Sequence, residues 1–220
     1  MLVITTSFNL VDGVDGLSSG LALISAVSFA VAGYLFGQPL VVALSLVLSG
    51  AVLAFLRYNF PPAKILMGDS GSLFLGLLFG TISLVLLVPG RDVFYTAAGS
   101  VVILSIPLLD TILAFCRRLF TNQPIFHADL CHLHHILLYR FKSVKKVDFL
   151  LWSLSAVFGL LGVFTMMGNL VALGVAVIVQ AVVFVVALHR MVRFELSKER
   201  VEEILYDCGV KTSRVVPRGE

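Results

Sequence analysis

Three short strings of polar residues carry the side chains in this sequence that could perform chemistry. The first runs from Asn9 to Leu17, reads NLVDGVDGL, and contains two Asp-Gly pairs three residues apart. Glycine permits positive φ and lets backbone N–H groups approach a ligand, so this spacing predicts a tight turn that holds both Asp12 and Asp15. A polar cap for a helix beginning near Ser18 is the simpler alternative, but a cap needs only one acid.

The second string covers residues 59–72 and reads NFPPAKILMGDSGS. Its two prolines end any preceding helix, and Gly-Asp-Ser-Gly-Ser then opens the next apolar segment. Asp69 therefore lies where the N–H groups of a helix N-terminus can receive a phosphate. A single carboxylate beside phosphates is also a common way to hold Mg²⁺, which keeps most of its waters. A simple helix cap is again the alternative.

The third string, residues 124–135, reads PIFHADLCHLHH and contains four histidines in nine residues. Phosphate contact by imidazole groups fits this spacing, whereas a zinc site that uses Cys131 requires a tetrahedral cage. The adjacent His134 and His135 are expected to point apart on a helix, which disfavours such a cage. A merely solvated loop is the remaining alternative. The four histidines are His127, His132, His134 and His135.

A fourth polar feature is Asp110, which lies within an otherwise apolar segment. A carboxylate at such a position is costly unless it is paired or faces a wet cavity. Two interpretations stay open: a charge pair with Arg117 and Arg118, about two turns further along, or a direct role in the site.

The elements that must position these strings follow from composition. The chain has 220 residues, of which 59% are hydrophobic and 13% charged, and its mean hydropathy is +1.02. Soluble domains are roughly 45–50% apolar and about 25% charged, so a soluble enzyme is excluded. The formal net charge of +3 is too small to indicate a nucleic-acid partner. We therefore expect an all-α polytopic membrane protein.

Six apolar segments are long enough to span a membrane. With six spans, every Lys and Arg except Arg91 falls on one side, and the positive-inside rule makes that side cytoplasmic. All three polar strings share this side, which predicts one functional site at the cytoplasmic face. We expect a transmembrane domain over 1–188 and a basic cytoplasmic tail over 189–220. The predicted spans are 18–36, 39–56, 72–89, 95–115, 148–167 and 170–188.

Together, the three strings resemble signature loops of the polyprenyl-phosphate N-acetylhexosamine-1-phosphate transferase family (glycosyltransferase family 4), in its C-terminal portion. They occur in the same order and on the same predicted face. The His-Leu-His-His and Pro-Pro-Ala-Lys forms are more similar to the branch that uses UDP-N-acetylglucosamine than to the branch that uses UDP-MurNAc-pentapeptide.

The resemblance implies a bacterial inner-membrane enzyme that transfers a sugar-1-phosphate from a UDP-amino sugar to undecaprenyl phosphate and releases UMP. This reaction begins a cell-envelope glycan pathway, such as teichoic acid or lipopolysaccharide synthesis. The implied cofactor is Mg²⁺, with Mn²⁺ as a substitute, and a homodimer is a further expected assembly. The implied roles are metal binding by Asp69; uracil recognition by Asp15 and Asn59; support of the nucleotide by Asn9 and Asp12; phosphate or sugar contact by His132, His134 and His135; and substrate binding by Lys64.

The sequence departs from the family pattern at three points. Leu66 stands where an aromatic residue is usual, Leu130 stands where an arginine is usual, and the acidic Asp-Asp-x-x-Asp string of the family has no counterpart. The missing acidic string supports a second hypothesis, in which the chain is a truncated, non-catalytic remnant or a half that depends on a partner. The other two departures indicate altered or weaker nucleotide binding. A zinc-binding membrane protein is the third.

Overall fold

The computed structural model describes residues 1–87, 92–120 and 132–195, and every regular element in these ranges is a helix. The all-α expectation is confirmed. In chain order the helices are α1 (Leu2–Val11), α2 (Leu17–Leu35), α3 (Pro39–Asn59), α4 (Gly68–Val85), α5 (Val93–Ile103), α6 (Ser105–Phe120), α7 (Leu133–Phe141), α8 (Val144–Met166) and α9 (Leu170–Glu195).

Five of these helices are long and apolar enough to cross a membrane: α2, α3, α4, α8 and α9. Counting the bent pair α5 and α6 as one span gives six, which agrees with the sequence prediction and makes the chain an integral membrane protein. The helices also extend beyond the predicted spans: α3 continues to Asn59, α4 begins at Gly68, and α8 begins at Val144. The short helices α1 and α7 lie outside the predicted spans.

The predicted fourth span, 95–115, is not a straight helix. Its two halves meet at Leu104 with a bend of 78°. Pro107 explains the break, because it has no N–H to give to the carbonyl four residues earlier. The Ser105 hydroxyl compensates in part by donating to the Val102 carbonyl, and the Gln180 amide donates to the Ser105 hydroxyl at 2.5 Å. Such polar compensation is what permits a broken helix at membrane depth.

Helix α2 is the most enclosed of the spanning helices and packs against α3 and α8, while α5 packs against α8. Helix α1 packs against α4 and α6, and α9 packs against α8 and α6. This packing brings the start of α2, the end of α3 and the start of α4 together at one end of the bundle. Because each spanning helix reverses direction, α2, α4 and α8 each end at the other end of the bundle.

The crossing of α5 and α8 depends on two glycines that face each other. A Cβ on Gly162 would lie 2.7 Å from the carbonyl oxygen of Gly99, and a Cβ on Gly99 would lie 2.6 Å from the carbonyl oxygen of Gly162. Small residues at a membrane helix crossing let the two backbones approach closely. This contact fixes α8, whose first turn reaches the polar end of the bundle.

We expect Gly162→Ala to destabilise the folded protein by about 1–3 kcal/mol, because the added methyl group must push the backbones apart. Thermal or denaturant unfolding in detergent micelles measures the loss. Gly174→Ala is the matched control, because no atom lies within 4 Å of a Cβ at that position on α9. Equal stability of the two variants would contradict the role assigned to the crossing.

Candidate active site

The turn between α1 and α2 is the centre of the candidate site. Gly16 takes the left-handed conformation (φ +78°), and its N–H donates to Oδ1 of Asn59, 3.1 Å away at the end of α3. Oδ2 of Asp15 accepts a hydrogen bond of 2.9 Å from the N–H of Ala63. Asp15 therefore joins the turn to the proline-containing loop. This bond does not cap α2, because the N–H group belongs to Ala63 and not to the first turn of α2.

Asn59 is buried and its amide connects three segments. Oδ1 accepts from the Ser19 hydroxyl (2.7 Å) in addition to the N–H of Gly16, and Nδ2 donates to the carbonyl of Ile65 (3.0 Å). Both lone pairs of the amide oxygen are thus used within the protein. The observed role of Asn59 is to hold the turn, and only one N–H of its amide is left for a ligand.

Asp12 and Asn9 flank the same turn. Oδ1 of Asp12 accepts from the Ser18 hydroxyl at 2.5 Å, which ties the acid to the first turn of α2. Nδ2 of Asn9 lies 3.2 Å from Oδ1 of Asp69 and 3.1 Å from the Ser72 hydroxyl oxygen. The Asn9 side chain therefore connects the first polar string directly to the second.

Asp69 lies in the first turn of α4, as the sequence predicts, and its side chain is exposed. Its neighbour Gly68 has φ +68°, which turns the chain into the helix. Lys64 is also exposed, and the contact observed for it is a backbone one, from its N–H to the Tyr58 carbonyl (2.8 Å). Asp69 is thus held beside Asn9, whereas the Lys64 side chain is not brought into this network.

The described histidines of the third string also lie beside the turn between α1 and α2, where His134 approaches Gly13. His132 precedes α7, and His134 and His135 lie in its first turn; all three are buried, at 6%, 1% and 7% exposure. This burial rules out a solvated loop for these three residues. His127 and Cys131 lie outside the described residues.

The expectation that His134 and His135 point apart is wrong. Their ring centroids are 4.2 Å apart, and the ring of His132 stacks on that of His134 at 5.5 Å with an interplanar angle of 6°. The reason is that the first turn of α7 is buried, so packing at that end confines neighbouring rings to one space. In the part of the chain that the structure describes, no group of three His, Cys, Asp or Glu side chains is arranged to hold a metal. The described residues therefore give no support to the zinc alternative.

Asp110 is the residue that holds this histidine cluster. Its Oδ1 accepts from the N–H of Leu133 at 2.7 Å, which anchors the start of α7 to α6. Its Oδ2 lies 3.4 Å from Nδ1 of His132 and 3.3 Å from Nδ1 of His134. These are ion-pair distances without the alignment of a hydrogen bond. Of the two interpretations that the sequence leaves open for Asp110, these contacts favour a role in the site.

Gly13 is the point at which the turn meets the histidines. A Cβ at this position would lie 2.9 Å from Nε2 of His134. With Nδ1 facing Asp110, His134 presents Nε2 to the turn, and a carboxylate at one ring nitrogen normally determines how the other is used. The sequence indicated Gly13 only as part of the turn, and its contact with His134 depends on the tertiary fold.

We expect Gly13→Ala to displace the His134 ring and to lower the rate of the reaction proposed below by about 10–100-fold, since misplacement of about 1 Å costs up to 10²-fold. Gly13 does not have positive φ, so the cost arises from the contact and not from backbone strain. The measurement is turnover together with unfolding temperature. Gly50→Ala is the control, because a Cβ there on α3 meets nothing within 4 Å.

Burial lowers the pKa of His135 well below its ordinary value; His134 and His132 lower it further, and Asp110 opposes them by raising it. The folded state therefore keeps this imidazole neutral at pH values where the unfolded chain binds a proton, so stability falls as pH falls below about 6.5.

We expect His135→Gln to reduce this acid sensitivity, measured as unfolding temperature against pH in detergent. An unchanged pH dependence would contradict the assignment.

Comparison with known proteins agrees with the motifs. Residues 1–87 match the family model described as glycosyl transferase family 4. The chain is 44% identical over 135 residues to a probable undecaprenyl-phosphate N-acetylglucosaminyl 1-phosphate transferase of Bacillus subtilis. The aligned region covers 61% of this chain and 37% of the relative. The chain is related to the polyprenyl-phosphate sugar-1-phosphate transferases of glycosyl transferase family 4.

Two further relatives differ in the sugar that their names contain. A decaprenyl-phosphate N-acetylglucosaminephosphotransferase of Mycolicibacterium smegmatis is 36% identical over 211 residues, covering 85% of this chain and 52% of the relative. A phospho-N-acetylmuramoyl-pentapeptide-transferase of Clostridium botulinum is 40% identical over 127 residues, covering 56% and 38%. The chain thus spans about half or less of the length of these relatives.

Proposed function

We propose that this chain carries the transfer of N-acetylglucosamine-1-phosphate from a UDP-amino sugar to undecaprenyl phosphate, with release of UMP, at the cytoplasmic face of the bacterial inner membrane. The observation that supports this best is the convergence of the three polar strings. Asn9 contacts Asp69, Asp15 contacts Ala63, and Gly13 contacts His134, although these partners are far apart in the sequence.

The donor set around Asp69 fits a Mg²⁺ ion. The carboxylate is exposed at a helix N-terminus, and the Asn9 amide holds one of its oxygens. Mg²⁺ takes one or two protein carboxylates and completes its octahedron with water and substrate phosphates. Asp69 would hold the ion, with Mn²⁺ as a substitute, and the bound ion would neutralise phosphate charge during the transfer.

Phosphoryl transfer between two anions depends on positioning and charge stabilisation more than on covalent chemistry by the protein. The N-terminal N–H groups of α4 can bind a phosphate. His132, whose Nδ1 lies 3.4 Å from Asp110, can contact a phosphate or the sugar through Nε2. His134 would do so where a ligand replaces the contact of its buried Nε2 with Gly13. Asp15, partly exposed beside the turn, and the remaining N–H of Asn59 are the groups available to the nucleotide base. Lys64 is an exposed positive charge on the same loop.

The proposed donor, UDP-N-acetylglucosamine, rests on the His-Leu-His-His form, in which Leu133 separates His132 from the other two histidines. In the structure, the N–H of Leu133 donates to Asp110, so Leu133 contacts this acid through its backbone and not through its side chain. A relative of each donor type matches the chain, and donor competition decides between them. Cytoplasmic orientation rests on the positive-inside distribution of Lys and Arg.

The test is to purify the 220-residue chain in detergent and supply labelled UDP-N-acetylglucosamine, undecaprenyl phosphate and Mg²⁺. Labelled lipid and UMP in equal amounts support the proposal. Because the chain spans 37–52% of the relatives' lengths, a second arm co-expresses it with the part of the B. subtilis relative that the chain does not match. Turnover only in that arm supports a partner-dependent half, and turnover in neither arm contradicts the proposed function.

A further inference from the structure

Asp148, in the second turn of α8, is a buried acid that none of the three polar strings contains. It is completely inaccessible to solvent. Within the described residues, neither of its carboxylate oxygens has a hydrogen-bond partner. Buried carboxylates are normally hydrogen-bonded, paired with a cation or bound to a metal. The groups around Asp148 therefore indicate which kind of partner its carboxylate binds.

The carboxylate of Asp148 is directed at the back of the turn between α1 and α2. Its Oδ2 lies 3.3 Å from the position of a Cβ on Gly16, and the carbonyl oxygen of Asn59 lies 3.7 Å from the same point. Asn59 is the last residue of α3, so its carbonyl belongs to the helix end that has no intrahelical partners and carries partial negative charge. Two oxygen acceptors thus share a small space beside Gly16.

A third negative group lies next to this space. The Asp15 carboxylate belongs to the residue before Gly16, and it is fixed by the N–H of Ala63. The ammonium group of Lys145, one turn before Asp148, does not neutralise them, because its Nζ lies over the ring of Phe60, 5.6 Å from the centroid. The buried Asp148 carboxylate and the C-terminus of α3 therefore face the same point beside Gly16, next to the residue that carries the second carboxylate.

We infer that Asp148 and the carbonyl end of α3 form a binding position for a hard divalent cation behind the Asp-Gly turn. Carboxylate and carbonyl oxygens select Mg²⁺ or Ca²⁺ over softer metals. A divalent ion would give the buried Asp148 carboxylate the partner that it lacks, and water would complete the coordination shell. The ion would tie the turn to α8, separately from the candidate Mg²⁺ position at Asp69.

The single tryptophan of the chain makes this position measurable. Trp152 follows Asp148 by four residues on α8, on the same helix face, and its Nε1 donates to the Leu17 carbonyl beside the turn (3.4 Å). Tb³⁺ is a hard ion that accepts excitation energy from a nearby indole. We expect Tb³⁺ bound to the purified 220-residue chain to emit on tryptophan excitation, and Trp152→Phe to abolish that emission.

Asp148→Asn, which preserves shape and removes the charge, should weaken the Tb³⁺ affinity at least ~10-fold. Asp92→Asn, an exposed acid at the far end of the bundle, should leave it unchanged. Ca²⁺ or Mg²⁺ should displace Tb³⁺, whereas K⁺ at equal ionic strength should not. Unchanged emission in Asp148→Asn, or displacement by K⁺ as readily as by Ca²⁺, would overturn the inference.

A second measurement does not require the Asp148 variant to fold. It uses the Asp69→Asn protein, in which an ion at Asp69 does not contribute. Ca²⁺ or Mg²⁺ added to this chelator-treated protein should raise its unfolding temperature by mass action, since ligands that bind only the folded state stabilise it. The absence of any shift with either ion would equally overturn the inference. Both measurements are independent of transferase activity.

Discussion

Asp69→Asn should reduce sugar-phosphate transfer by at least about 10³-fold. The substitution removes the negative charge of the carboxylate that we propose as the Mg²⁺ ligand, and charge stabilisation by a bound metal is worth several kcal/mol, or about a factor of ten for each 1.4 kcal/mol. Asparagine can still accept the hydrogen bond from Asn9 that holds Asp69 at 3.2 Å. The expected loss is therefore in the rate and not in the folded structure.

The measurement is the initial rate at several Mg²⁺ concentrations, in the arm of the transfer assay that shows turnover. An impaired metal ligand predicts a rate that recovers in part at high Mg²⁺ or Mn²⁺. Asp92→Asn is the matched control, because Asp92 is also an exposed acid at the start of a helix, where its side chain accepts from the N–H of Phe94 at 2.9 Å. A wild-type rate in Asp69→Asn would remove Asp69 from the proposed mechanism.

The arrangement of the site depends on two glycine-rich turns more than on any single acid. Gly16, with φ +78°, and Gly68, with φ +68°, each stand at the entry to a helix, α2 and α4 respectively. Only glycine adopts this conformation without strain. The Asp-Gly pairs were sufficient to predict the first turn, and the Gly-Asp-Ser-Gly-Ser string was sufficient to predict the start of α4, because turn chemistry and helix starts are local properties.

The contacts made by Asn59 and Asp110 were not accessible to the same reasoning. The resemblance implies a contact of Asn59 with the nucleotide, and it gave no indication that the amide oxygen is also used by Gly16 and Ser19. Asp110 has Arg117 and Arg118 two turns ahead on its own helix, and this local spacing suggested a charge pair. The bend at Leu104 and the position of α7 decide instead which side chains Asp110 meets, and both are set by tertiary packing.

Asp148 illustrates a different limit. A single acid at the start of an apolar segment is a common way for a membrane helix to begin, so the sequence gives it no distinguishing pattern. Helix α8 begins at Val144, four residues before the predicted span, which places Asp148 inside the helix rather than at its end. Lys145 and Lys146 kept these residues out of the predicted span, although charged residues are tolerated in the first turn of a helix near the membrane surface.

The second large effect is expected for Asp110→Asn, which should lower the turnover number by about 10²-fold. Asparagine keeps an oxygen for the N–H of Leu133, so α7 remains anchored, but the charge facing Nδ1 of His132 and His134 is lost. An orienting carboxylate beside a histidine controls which ring nitrogen is presented to a ligand, and its replacement by an amide impairs rate even where geometry is preserved.

Asp110 acts through the histidines, so the readout must separate positioning from binding and from folding. A positioning role predicts a lower kcat with KM for the UDP-sugar changed by less than about threefold, because binding common to the ground and transition states is retained. Asp110→Ala should in addition lower the unfolding temperature, since it leaves the buried N–H of Leu133 without an acceptor. Asp110→Asn with normal kcat and a raised KM would show that this acid serves substrate binding and not the orientation of His134.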